Sequence, residues 1–94
     1  MSKIKWIWTD DDGRYKNYAD EVSDIVVEIL NYYYQFEEDE VSCLHENGKL
    51  YIHYDYDEKL HEYEIDDDED SIEEFLQDRA VENGRKDTFS IYLN

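Results

Sequence analysis

At 94 residues the chain is the length of one small domain with a single core. Its 27 acidic residues against nine basic ones give a formal net charge of −18, which argues against direct binding to DNA, RNA or an anionic membrane across a repulsive field. A lone cysteine, Cys43, excludes an internal disulfide, and with no stretch reading as a signal peptide or membrane span the expected setting is reducing, cytoplasmic or nuclear.

Ile4, Trp6 and Trp8 alternate with Lys5 and Ile7, a period of two that predicts a strand burying one face. Asp12-Gly13 then favours a tight turn into a second strand over Arg14–Tyr18. Val22, Ile25, Val26, Ile29, Tyr33 and Phe36 recur at spacings of three and four, the stripe of an amphipathic helix with Asn17 or Asp20 available as its cap. The charged run Glu37–Glu40 ends that helix. Val41–Leu44 is a short strand, and Asn47-Gly48 turns it into a hairpin with Leu50–Tyr56. A turn at Asp57-Glu58-Lys59 leads to Leu60–Ile65, which places His61, Tyr63 and Ile65 on one side and Glu62 and Glu64 on the other.

Five consecutive acids, Asp66–Asp70, predict a solvated loop. Ser71 with Glu74 has the spacing of a capping box, so a second helix is expected from Ser71, with Ile72, Phe75, Leu76 and Ala80 as its stripe and Asn83-Gly84 as its stop. Thr88–Leu93 alternates as a final strand. The sequence shows neither a linker nor an internal repeat. The expected fold is α+β: one twisted antiparallel sheet of five or six strands with one long and one shorter helix.

The order Trp-x-Trp-x-Asp-Asp-Asp-Gly-x-aromatic-x-x-Tyr over Trp6–Tyr18, followed by Val22-Ser23 and an apolar helix, resembles the opening of the WWE domain. That family is a small non-catalytic module whose best-known members bind ADP-ribose units. Tyr63-Glu-Ile-Asp66 is similar to the family's aromatic-x-aliphatic-Asp strand. The resemblance implies a ligand pocket of Trp8, Tyr15 and Tyr63, with Gln77 as a polar contact. The family's C-terminal strand usually carries an arginine where this chain has Phe89, so Arg79, Arg85 or Lys86 is left to face a pyrophosphate, with Arg85 counted in the ligand-binding set.

Other chemistry finds little footing. Counting back from Gly13 as the sixth position of a calcium-binding loop puts Trp8 first and Ala19 twelfth, neither of them a suitable ligand. His45, His53 and His61 with Cys43 offer no second paired spacing for zinc, so neither metal nor cofactor is expected. No carboxylate pair is singled out for catalysis, and Glu40 and Glu46 beside Cys43 oppose a reactive thiolate. An enzyme is not expected.

Acidic residues instead recur along the whole chain, in the runs 10–12, 37–40, 55–58, 62–70 and 73–78, with Asp10, Asp11 and Asp12; Glu37, Glu38, Asp39 and Glu40; and Asp66, Asp67, Asp68, Glu69 and Asp70 as the candidate contact clusters. Carboxylates at such density present to a cationic groove what phosphates would. The leading expectation is an inhibitor that mimics nucleic acid on a basic, nucleic-acid-binding protein. ADP-ribose recognition is the second expectation, and a general protein-interaction module the third.

Overall fold

In the computed structural model, which describes residues 3–37 and 40–93, each stretch of alternation folds into a strand and each apolar stripe into a helix. The elements are β1 (Ile4–Asp10), β2 (Gly13–Ala19), α1 (Val22–Tyr34), β3 (Val41–Glu46), β4 (Lys49–Tyr56), β5 (Lys59–Asp66), α2 (Glu69–Glu82) and β6 (Thr88–Tyr92). Among the described residues the fold is α+β with six antiparallel strands. Two features depart from expectation. The strands divide into two three-stranded sheets, ordered β2-β1-β6 and β3-β4-β5, rather than forming one. The helices are 13 and 14 residues long, near equals rather than long and short, because α2 begins two residues before Ser71 and α1 ends at Tyr34, leaving Phe36 of the expected stripe beyond it.

That early start has a local cause. Asp68 is the cap, its carboxylate accepting the Ser71 backbone N–H at 3.2 Å and the Ser71 hydroxyl at 2.7 Å. These bonds, the hydroxyl's first, hold the Asp68 carboxyl below its usual range. Ser71 is therefore a helix residue, and Asp66–Asp70 is shared between the end of β5 and the first turn of α2. Helix α1 has no side-chain cap: Glu21 stands at the position, while Asp20 pairs with Lys3 at 3.1 Å and the Asn17 amide donates to the Tyr15 carbonyl. It closes on Gln35, left-handed at φ 55°, whose N–H reaches the Asn31 carbonyl.

The hairpin turns follow their local chemistry. Asn47 and Gly48 both take positive φ, the geometry that suits the twist between β3 and β4. In the first hairpin Asp11 and Asp12 form the turn, one residue earlier than expected, since the Asp10 carboxylate accepts the N–H groups of Asp12 and Gly13 at 2.8 and 3.1 Å.

An internal repeat, invisible in the sequence, organises the whole. Strands β1 and β2, helix α1 and strand β3 are matched by β4, β5, α2 and β6, each half a β-β-α-β unit. Each half gives its last strand to the other half's sheet: β6 pairs with β1, and β3 with β4. The helices match residue by residue, with Val22, Ile25, Val26, Ile29 and Leu30 buried in α1 and Ile72, Phe75, Leu76, Arg79 and Ala80 in α2. Trp6, Leu50, Ile52, Tyr54, Phe89 and Ile91 point inward from the two sheets and join both helices in one core.

Helix α2 also shields the free edge of β6. The carboxylates of Glu73 and Glu69 accept the backbone N–H groups of Ile91 at 2.6 Å and Leu93 at 2.7 Å, which leaves less of that edge open for another strand to pair with.

Candidate binding surfaces

The aromatic residues proposed for a nucleotide pocket do not converge. Trp8 and Tyr15 are cross-strand partners and line an open recess of about 290 Å³ with Asp10, Asn17, Glu28 and Tyr32. Tyr63 lies on the other sheet, facing a separate recess of about 420 Å³, with Phe75 at 5.1 Å and the Arg79 guanidinium over its ring at 4.7 Å. Gln77, half-buried on α2, lines neither recess.

Arg85 does come near Trp8, and what brings them together is Asp87, a residue without a role in the sequence reading. The Asp87 side chain is buried, and its Oδ2 accepts from Trp8 Nε1 at 3.0 Å, the Tyr33 hydroxyl at 2.7 Å and Arg85 Nε at 3.1 Å. Burial first, then the hydrogen bond to this carboxylate, push the Tyr33 phenol well above its ordinary range. Arg85 is thus committed to an internal carboxylate, with Asp10 a further 3.9 Å contact, and its charge is largely spent within the fold. The only sequence signal for Asp87 was an acid between Lys86 and the last strand.

The outward faces of the two sheets carry opposite charge. On the β3-β4-β5 sheet, Glu62, Glu64 and Asp66 stand in a row along β5, with Asp55 across from it on β4. Alternate residues of a strand lie about 6.5–7 Å apart, so this is a regular line of carboxylates. Lys49 covers one end of it, 2.7 Å from Asp66 and 4.0 Å from Glu64. Tyr51, Leu44 and Leu60 stand exposed among these acids, at 38%, 54% and 57% of their surface. On the β2-β1-β6 sheet the outward cross-strand rows are Tyr18, Lys5 and Tyr92; Lys16, Ile7 and Ser90; and Arg14, Thr9 and Thr88. No acid stands in those rows.

The expected acidic clusters are spread over turns and helix starts rather than gathered. Asp11 and Asp12 are exposed at the first turn, Asp67 lies 2.9 Å from His45, and Glu40 accepts the Glu37 N–H at 2.7 Å. Glu69 and Asp70 open α2. Glu38 and Asp39 lie outside the described residues. The acidic face on β4 and β5 was foreshadowed by the alternation of Glu62 and Glu64 with Tyr63 and Ile65.

The histidines stay apart: His53 bonds Ser42, His45 faces Asp67, and His61 stacks on Tyr54 at 5.0 Å. Burial, and secondarily the charge of Asp24, push the Cys43 thiol up to about 11. The neighbours that do this are therefore spatial, not the adjacent Glu40 and Glu46. At pH 8 the native protein is expected to react with iodoacetamide at least tenfold more slowly than the urea-unfolded chain, with the difference closing as pH approaches 11. Equal rates at pH 8 would show that the thiol is open.

No family model matches the chain, and no curated protein or solved structure does so either.

Proposed function

We propose that this is a non-catalytic binding protein that uses its acidic sheet face to occupy the basic surface of a nucleic-acid-binding protein. The observation that carries the reading is the row Glu62, Glu64 and Asp66, with Asp55 beside it and Tyr51, Leu44 and Leu60 exposed between the charges. Carboxylates at regular spacing on a rigid sheet offer a cationic groove a preformed array, and the apolar side chains supply contact area that charge alone lacks. The charge of −18 adds long-range attraction and fast encounter with such a groove at low ionic strength. Recognition of ADP-ribose gains less support, because the residues it requires are split between two recesses and Arg85 is already paired.

Capture from nuclease-treated lysate at low salt, with the bound proteins identified, tests the proposal. The expected partner binds DNA or RNA, is displaced by saturating nucleic acid and dissociates steeply with added salt. Asp55→Asn, Glu62→Gln and Glu64→Gln combined are expected to weaken the complex at least tenfold with the melting temperature unchanged or raised, since all three groups are exposed. A partner that stays bound under excess nucleic acid and ignores the triple variant would sink the idea.

A further inference from the structure

The outward face of the β2-β1-β6 sheet stands apart electrostatically. Its paired positions hold Lys5, Arg14 and Lys16 and no acid, in a chain with three times as many acidic as basic residues, and Asp20, just past the end of β2, is paired with Lys3 at 3.1 Å. Both ends of its first row are aromatic: Tyr18 is 58% exposed and Tyr92 45% exposed, with the Lys5 ammonium 5.0 Å from the Tyr92 ring. Ile7, in the middle row, is only 8% exposed although it lies outside the core cluster. The result is a continuous platform with rings at two corners, cations between and beside them, and the hydroxyls of Thr9, Thr88 and Ser90 toward the other end.

We infer that this face binds a short single-stranded oligonucleotide, bases stacked on Tyr18 and Tyr92 and phosphates against Lys5, Lys16 and Arg14. The two rings sit two strands apart, about 10 Å, a span that neighbouring or next-neighbouring bases of an extended strand can bridge. Aromatic rings interleaved with cations on an open antiparallel sheet are the usual means of holding unpaired bases. The exclusion drawn from net charge applies to long polyanions and duplexes, whose distal phosphates meet the acids elsewhere on the molecule. A strand of three or four nucleotides meets the local field only. The molecule measures 37 × 35 × 22 Å against a screening length of about 8 Å at physiological salt, so acids on the far side of the fold act weakly on such a strand, while the near ones are engaged: Asp20 with Lys3, and Glu69 and Glu73 with the N–H groups of Leu93 and Ile91.

This gives the interaction an unusual sign. Most nucleic-acid complexes weaken steadily with salt. Here the first additions screen the repulsion from remote acids more than the contacts on the face, so affinity rises before it falls.

Titration of the intact protein with fluorescently labelled tetrathymidylate, read by anisotropy and by chemical shifts of the Tyr18 and Tyr92 strands, tests the inference. The expected result is saturable binding that tightens between about 10 and 150 mM sodium chloride, with an icosamer no tighter and a duplex bound more weakly. Tyr18→Ala and Lys16→Glu are each expected to weaken binding about tenfold, while Glu62→Gln with Glu64→Gln, on the other sheet, does not weaken it. That control separates this face from the acidic one, so either can fail alone. Absence of saturable binding at millimolar oligonucleotide, or equal affinity in the Tyr18 and Lys16 variants, overturns the inference. Tighter binding of ADP-ribose than of tetrathymidylate at the same shifted residues would overturn the choice of ligand in favour of a free nucleotide.

Discussion

Trp6→Ala is expected to lower the unfolding free energy by about 3–5 kcal/mol, a large part of what a domain of this size commands. Trp6 is 1% exposed, sits at the middle of the central strand between Asn17 on β2 and Ile91 on β6, and stacks on Trp8 at 6.1 Å. Its site in the other half belongs to Ile52, so the largest side chain of the core lies on one side of the repeat and the cavity left by alanine has no bulky counterpart to refill it. Urea unfolding followed by far-ultraviolet circular dichroism measures the loss. Tyr51→Ala, on the open face of the other sheet, is the control and should change stability little. A loss under about 1 kcal/mol for Trp6→Ala would mean that the two sheets do not close on a shared core.

Much of this arrangement was legible in the chain. Alternation at Ile4–Trp8 and Leu50–Tyr56 and the stripes from Val22 and Ile72 identify elements and their buried faces, because burial is a property of each residue's own spacing. Partnership between strands is not written there. Strand β3 reaches β4 through Asn47-Gly48, a local turn, but β6 pairs with β1 across nearly the whole chain, and nothing in the alternation of Phe89 and Ile91 specifies that. The repeat was hidden for a related reason. Aligning residues 4–20 with 50–66 leaves only Asp11 with Asp57 and Asp20 with Asp66 identical, since the two halves conserve burial and exchange chemistry. Lys16 stands where Glu62 stands, and Tyr18 where Glu64 does, so the outward faces differ in charge while the inward ones serve the same core.

Asp87 was the least legible residue of all, because its role depends on Trp8 and Tyr33, both distant in sequence and on other elements, as well as on nearby Arg85. Asp87→Ala is expected to cost about 2–4 kcal/mol, as it removes the acceptor of Trp8 Nε1 and of the Tyr33 hydroxyl in a partly buried setting while Arg85 can turn to water. Asp87→Asn keeps an acceptor oxygen and should cost less. The two variants also differ from wild type at high pH. A buried tyrosine that donates to a carboxylate resists ionisation, so Tyr33 keeps its proton in the native state at pH values where the unfolded chain loses it. Its contribution to stability is therefore complete below about pH 10 and is lost progressively above that value. Stability measured by urea titration from pH 8 to 11 should fall as the unfolded tyrosines begin to ionise. With Asp87→Asn the fall should be shallower but still present, since burial, the larger cause, remains while the hydrogen bond to a charged group and its repulsion of the phenolate are gone. Identical slopes in wild type and Asp87→Asn would show that the carboxylate does not act on Tyr33. Tyr33 would then be held in the aromatic corner with Trp8 and Phe89 by packing alone, while Trp8 keeps its bond to Asp87.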